Sequence, residues 1–407
     1  MGRDCDVLIV GGGLNGPVLA LALAQGGLPS IVLDAAPAEA LAEPAFDGRA
    51  YALALSSRRM LAALGVWPRV AEHAQAIEGI DIGDARSGAE SARAFLHFDQ
   101  NEIPDGPMGH VVEDRFLRAA LAAAMADAGI EVRTGVAVTG QAAEPGAATV
   151  TLAGGGRLSG SLLVGCDGRR SGVARRAGIG RRGWDYRQTS LVCAIAHELP
   201  HRGIASQVFM PEGPLAILPL PGNRSSIVWT EERARAETIQ GLDEVGYLAV
   251  LRPRFGDRLG TIELAGRRYA YPLGLSLVER WVAERMALAG DAAHGLHPVA
   301  GQGLNLGLRD VAALAEVAVA ASRRGQDIGA ADVLAQYQRW RRFDTMLLAA
   351  ATDGITRLFS NDNPVLRLGR DLGLGLVNRV PVARRAFIAE AAGLSGDLPR
   401  LLRGRPL

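Results

Sequence analysis

The stretch from Asp6 to Asp34 constrains the fold more than any other part of the chain. Residues 6–10 read DVLIV, a short apolar run rich in β-branched residues, as in a buried parallel strand. GGGLNG, Gly11 to Gly16, follows at once. Val18 to Gln25 then reads as a helix stopped by Gly26-Gly27, and Ser30 to Leu33 reads as a second strand ending in Asp34. Strand, glycine turn, helix, strand and acid is the order of a dinucleotide-binding unit. Gly11 permits the tight turn, Gly13 lets the backbone approach a pyrophosphate, and Gly16 lets helix and strand pack closely. Leu14 and Asn15 complete the turn as candidate cofactor contacts, where the helix offers N–H groups and a positive dipole end. Asp34, 18 residues after Gly16, can accept hydrogen bonds from ribose hydroxyls. Taken alone, this motif does not separate FAD from NAD.

Two later stretches repeat the pattern of an apolar strand ending in a turn aspartate. Residues 161–168 read SLLVGCDG and close on Asp167-Gly168, with Ser171 and Val173 beyond. Residues 286–310 read MALAGDAAHGLHPVAGQGLNLGLRD, in which Gly290-Asp291 ends the strand. A loop with Pro298, Gly301 and Gly303 follows, and a helix starts near Gly303. A helix N-terminus behind a glycine-rich loop supplies N–H groups and positive potential, which suits the negative pyrimidine edge of a reduced flavin. Gly301, Gly303, Leu304 and Asn305 occupy that stretch.

On these motifs the chain resembles the flavoprotein aromatic hydroxylases typified by p-hydroxybenzoate hydroxylase. Within that family it is most similar to the ubiquinone-biosynthesis hydroxylases. The resemblance implies that Gly11, Gly13, Gly16 and Asp34 hold the ADP half of FAD and that Asp291 meets the ribityl chain. It places Asp167 near the pyrophosphate and the reductant's approach. Asp47-Gly48-Arg49 resembles the segment whose arginine contacts FAD, and Arg49 is also the first candidate for assisting the reductive step. Arg115, in VVEDRFLRAAL, sits at a helical FAD contact, with Arg118 as its rival one turn on. The family places an arginine after the valine of the Asp-Gly motif; here that position is Ala174, and Arg175 comes next. His294 and His297 precede the flavin helix as candidate proton shuttles, His297 being the catalytic choice. The structural reading of His294 is a residue packed at the strand end.

The expected fold class is α/β: an FAD-binding Rossmann-like domain with a parallel sheet, interleaved with an antiparallel-sheet substrate domain, plus a C-terminal helical region. LVCAIAHEL, SQVFM, LAILPL and SSIVWT are short β-rich segments between Pro, Gly and Asn turns, the pattern of that second sheet. Residues 1–75, 105–178 and 283–330 are assigned to the FAD-binding domain, 76–104 and 179–282 to the substrate domain, and 331–407 to the helical region. In the last region Gln336 to Leu348 reads as a helix, and the following segments are basic and amphipathic. They offer either a docking face for a membrane or biosynthetic partner, or an ordinary packed helical region.

Composition narrows the chemistry. The chain contains no lysine, so all 44 Lys-plus-Arg positions are arginine. Schiff-base and phosphate-loop lysines are excluded, and with them the tryptophan-halogenase reading of a flavin enzyme. The three cysteines, Cys5, Cys166 and Cys193, are far apart, which excludes a disulfide framework and a thiolate zinc site. A net charge of +1 gives no reason to expect nucleic acid. No apolar run approaches the roughly 20 residues needed to cross a bilayer, and no metal-ligand cluster is evident. The expected location is the cytoplasm, with peripheral contact at the inner face of the membrane as the other arrangement.

The resemblance implies an FAD-dependent monooxygenase that hydroxylates an aromatic ring through a flavin C4a-hydroperoxide. NADPH or NADH is the transient reductant, O2 the co-substrate, and a lipophilic polyprenyl-phenol intermediate of ubiquinone the leading substrate. A soluble phenolic metabolite is the first alternative. A non-catalytic flavoprotein scaffold of a quinone-biosynthesis complex is the second.

Overall fold

The computed structural model describes residues 3–41, 48–84, 94–103, 106–210, 212–295, 302–359 and 380–407. Its first layer is a six-stranded sheet in the order Val282–Ala283, Met286–Leu288, Leu162–Gly165, Val7–Val10, Ser30–Leu33, Glu131–Arg133. Every pairing in it is parallel except the terminal hairpin of the first two strands. The strands from Met286 to Leu33 in that order are buried residue by residue, as expected for a sheet covered on both faces. The helices Asn15–Gln25 and Gln302–Arg323 pack together on one face. A Cβ on Gly26 would lie 2.2 Å from Val319 Cγ2, so glycine is what permits that approach.

The second layer is a nine-stranded sheet. Its central strands are Tyr269–Val278, Arg181–His197, Arg224–Glu232, Gly213–Leu220 and Ile204–Met210. Gly79–Asp84 and Ala94–Asp99 extend one edge and His294–Gly295 the other, and Ile262–Leu264 pairs with the end of Arg181–His197 as the ninth strand. One pairing departs from the antiparallel expectation: Ile204–Met210 runs parallel to Gly79–Asp84. The helices Arg233–Gln240 and Glu244–Phe255, not foreseen from the sequence, cover one face over Leu191, Cys193, Leu215, Ile217, Ile227 and Trp229. The other face meets a small three-stranded sheet of Ala50–Ala54, Gly109–Glu113 and Ala74–Ile77. His294–Gly295 belongs to this layer, yet it lies six residues beyond Leu288, where the last strand of the first layer ends. The third motif therefore crosses from one sheet to the other.

The helix near the C-terminus is longer than its sequence pattern suggests. It spans Ala331–Phe359 and packs against Gln302–Arg323. Tyr337, Leu401 and Leu402 join the core of the first layer. Among the described residues no helix is long and apolar enough to cross a membrane.

Candidate functional site

The glycines of the first motif divide by what surrounds them. A Cβ on Gly11, where φ is +114°, would lie 2.3 Å from the Cys166 carbonyl oxygen. A Cβ on Gly16 would lie 1.9 Å from the Gly11 carbonyl oxygen. Both glycines are required by backbone packing. Among the described residues a Cβ on Gly13 would meet nothing within 4 Å. Gly13 is thus the point of the loop that a ligand can approach. The Asp34 carboxylate accepts the Gly12 N–H at 2.5 Å and the Ala36 N–H at 2.7 Å. It fixes the loop to the second strand and keeps lone pairs for a ribose hydroxyl. Leu14 is buried.

The three motifs converge. Gly11 touches the Cys166–Asp167 backbone, and Asn15 touches the third motif. A Cβ on Gly290 would lie 2.1 Å from Asn15 Nδ2, and one on Gly307 would lie 2.6 Å from it. The Asn15 side chain therefore passes between two glycines, with its Oδ1 buried and lacking a hydrogen-bond partner. The Asp167 carboxylate accepts the Ser171 hydroxyl at 2.5 Å and the Val173 N–H at 3.0 Å. It thereby supports the N-cap of the short helix Gly172–Arg176, which is Ser171, whose hydroxyl oxygen accepts the Ala174 N–H. On that helix Ala174 is buried and Arg175 exposed. Arg176 turns back, its Nη1 2.8 Å from where a Gly172 Cβ would stand.

Gly290 adopts φ +63° and donates its N–H to Asp310 Oδ2 at 3.0 Å. The Asp291 carboxylate is 46% exposed and lies 3.5 Å from Arg169. Arg181 donates to the Asp291 and Ala292 carbonyls at 3.1 and 2.8 Å. Gly303 opens the helix Gln302–Arg323, and among the described residues a Cβ there would meet nothing within 4 Å; Leu304 beside it is half-buried. The side chain of Asn305 has partners within the chain. Its Oδ1 accepts the Ala54 N–H at 2.9 Å and the Ser57 hydroxyl at 2.7 Å, and its Nδ2 donates to the Ala52 carbonyl at 2.8 Å. That side chain fastens the helix to the strand Ala50–Ala54, which leaves the helix backbone as the part that can face a cofactor.

The arginines gather around two buried acids on the neighbouring strand and helix. Asp114 pairs with Arg49 at 3.1 Å and with Arg118 at 2.6 Å. Glu113 pairs with Arg115 at 2.8 Å and, from the large sheet, with Arg224 at 2.9 Å. Two buried carboxylates thus hold four guanidiniums in place, on a strand end and helix start that follow directly on one another. Arg115 also lies 4.5 Å over the Phe116 ring.

Sequence reasoning missed the partners of these motifs. His294 is 1% exposed and places Nε2 2.6 Å from Asp310 Oδ2; it is a buried structural residue, as its packing reading expected. Asp310, fully buried, also accepts Arg341 Nε at 2.8 Å. Burial alone would raise the Asp310 carboxyl; the His294 ring and the Arg341 guanidinium outweigh it and hold the group below the usual carboxylate range. Asp310 closes the third motif and was visible there, but Arg341 is one arginine among many. His297, Gly301 and Asp47 lie outside the described residues. Burial pushes the Cys5 thiol up to about 12 and the Cys193 thiol up to about 11, so neither is a ready nucleophile. Among the described residues no cluster of His, Cys, Asp or Glu could hold a metal ion. Gly13 and Gly303, open among the described residues, and the two helix N-termini fit FAD.

A family model described as an FAD binding domain matches residues 4–349. A ubiquinone hydroxylase of Rhodospirillum rubrum is 45% identical over 100% of this chain and 94% of its own length. The 3-demethoxyubiquinol 3-hydroxylase of Escherichia coli is 34% identical over 96% of this chain and 99% of its own. Among solved structures, a p-nitrophenol 4-monooxygenase of Pseudomonas putida matches with a TM-score of 0.80, covering 97% of this chain and 99% of that one at 19% identity. That last likeness is one of fold.

Proposed function

The chain belongs to the FAD-binding-domain family and is an FAD-dependent monooxygenase of the aromatic-hydroxylase kind, and from that premise we propose that it hydroxylates a polyprenyl-phenol intermediate of ubiquinone biosynthesis. The observation that carries the substrate is the end-to-end likeness to a ubiquinone hydroxylase, motifs and C-terminal region included. FAD, when bound, supplies the activation of O2 and the transfer of one oxygen atom to the ring.

The roles proposed for the chain's own residues follow from their positions. Gly11, Gly13, Leu14, Asn15 and Gly16 hold the diphosphate with backbone N–H groups and the helix dipole, and Asp34 takes the ribose. Asp291, exposed at the turn, takes the ribityl hydroxyls. Gly303, Leu304 and Asn305 present helix N–H groups to the pyrimidine edge, and Gly301, outside the described residues, is assigned to the same contact by the resemblance. Arg115 adds charge near the diphosphate, and Arg49, tethered by Asp114, contacts FAD and assists the reductive step. Asp167 orders the segment the reductant approaches, and NADPH or NADH docks there transiently. His297 moves the phenolic proton. The domain division keeps the sequence ranges, which the membership of the two sheets supports except at His294–Gly295 and Val282, where the chain crosses between them.

The same proposal places the protein in the cytoplasm, in peripheral contact with an anionic membrane surface through the helix Ala331–Phe359. Arg339, Arg342, Phe343, Met346, Leu347 and Ala350 form one exposed stripe at helical spacing.

The test uses the purified FAD-loaded protein and a short-chain prenylated phenol. The expected result is NAD(P)H oxidation stimulated by that phenol and a product heavier by one oxygen. Stimulation by soluble carboxylated phenols alone would assign the enzyme to a soluble metabolite. No stimulation by any phenol, with a quinone pathway that still fails when the gene is deleted, would leave only a scaffold.

A further inference from the structure

We infer that Tyr337 and Arg341 are positioning residues for the Gly290–Asp291 turn, which makes the helix Ala331–Phe359 part of the cofactor site. The inference rests on the reading that this turn meets the ribityl chain, and it adds residues that neither the motifs nor that reading assign.

The turn is anchored at successive points. The Leu288 carbonyl, at the end of the strand, accepts the Tyr337 hydroxyl at 2.7 Å. The Gly290 N–H goes to Asp310 Oδ2 at 3.0 Å, and His294 reaches the same oxygen at 2.6 Å. The other Asp310 oxygen is held by Arg341 Nε at 2.8 Å, and Arg341 Nη1 continues to Asp344 at 2.8 Å. Tyr337, Asp310 and Arg341 are each 0% exposed. Positions 337 and 341 are one turn apart on a single helix face, so one rigid element grips the turn on both sides of Ala289.

A fold needing only stability has little reason for this arrangement. Replacing a buried ion pair by apolar residues of similar size is often neutral or stabilising. Here Arg341 Nη2 is buried without a hydrogen-bond partner, a standing cost. What the network supplies is direction. Gly290 must stay in the left-handed region for Asp291 to follow it out to the surface, and a carboxylate pulled from three sides fixes the Gly290 N–H in one place. Arg181, which holds the Asp291 and Ala292 carbonyls, does the same from the substrate side.

The experiment titrates FAD into apoprotein by flavin fluorescence quenching and records the melting temperature of the apoprotein in parallel. The variants are Tyr337→Phe, Arg341→Met, Arg341→Lys and, as a buried control on the same helix, Thr345→Val. Losing one such hydrogen bond should raise the Kd for FAD about tenfold in Arg341→Met and severalfold in Tyr337→Phe. Arg341→Lys should recover part of the loss, and Thr345→Val should leave the Kd unchanged whatever it does to melting. Lower melting temperatures in Tyr337→Phe and Arg341→Met with the parent Kd would overturn the inference. If Arg341→Met does not fold, Tyr337→Phe decides alone, and an unchanged Kd in it overturns the inference. Asp291→Ala separates the two failures: a parent Kd in it would overturn the reading that this turn meets the ribityl chain, whereas a raised Kd in it beside parent values in Tyr337→Phe and Arg341→Met would overturn the inference alone.

Discussion

At the residue scale, glycines that look equivalent in GGGLNG carry opposite duties. Gly16 is enclosed by the Gly11 backbone, and Gly13 is open. Gly16→Ala should therefore cost the apoprotein about 3 kcal/mol or more, because backbone cannot yield as a flexible side chain can. Gly13→Ala should melt like the parent yet lose FAD. Denaturant melts with a parallel FAD titration check both, and a Gly13→Ala protein that keeps its full yellow load would contradict the assignment. Asp310 gives the second residue-scale test. Its folded carboxyl is held below the ordinary value, so the folded state favours its charged form. That stabilisation is fully present above the unfolded value of about 4 and is lost as the pH falls through the lower folded one. Asp310→Asn should cost about 3–5 kcal/mol near neutral pH by leaving Arg341 without its charged partner. The gap to the parent should shrink in urea melts taken below about pH 4. A gap unchanged over that range would show that the charge of Asp310 is not what matters.

At the element scale, Asn305 joins two pieces of the site that lie far apart in sequence. It bonds the Ala52 carbonyl, the Ala54 N–H and the Ser57 hydroxyl, and the strand concerned begins next to Arg49. Asn305→Leu strands the buried Ala54 N–H, at about 1–3 kcal/mol, and removes the partner of the part-buried Ala52 carbonyl. Faster amide exchange over residues 50–57, with the sheet around Val7–Val10 unchanged, is the expected result. Equal loss of protection in both would mean a global effect instead. The strands and helices of the cradle were legible because buried parallel strands are continuous apolar runs and glycines mark the turns. The role of Asn305 was not legible, because a polar residue at a helix start reads equally as a ligand contact and as a pin. The parallel pairing of Ile204–Met210 with Gly79–Asp84 was hidden for a related reason. Alternation within one strand says which face is buried and nothing about the neighbour's direction. The two helices behind the large sheet, Arg233–Gln240 and Glu244–Phe255, follow a β-rich stretch and were absorbed into it.

At the scale of the whole molecule, the interleaving of two sheets could be read in advance, since three strands ending in turn residues had to meet around one extended cofactor. The arginine pairings could not. Glu113 joins Arg115 to Arg224 across the two layers, and 44 arginines give no means of choosing such partners from sequence. The same difficulty conceals the outer face of the helix Ala331–Phe359, where burial decides which residues are outward. Phe343 is 72% exposed and Leu347 61%, on a stripe that begins with Arg339 and Arg342. A helix lying in a membrane interface combines buried apolar area with attraction to anionic headgroups, so both contributions can be removed separately. Phe343→Ser with Leu347→Ser should weaken sedimentation with anionic vesicles about tenfold or more, through lost apolar burial. Raising the salt to about 1 M should weaken the parent by shortening the screening length to about 3 Å. The serine variant should keep its FAD content, because Tyr337 and Arg341 lie on the opposite face of the helix. Binding to neutral and anionic vesicles alike, or none to either while a pathway protein is captured in its place, would show that this stripe meets something other than an anionic lipid surface.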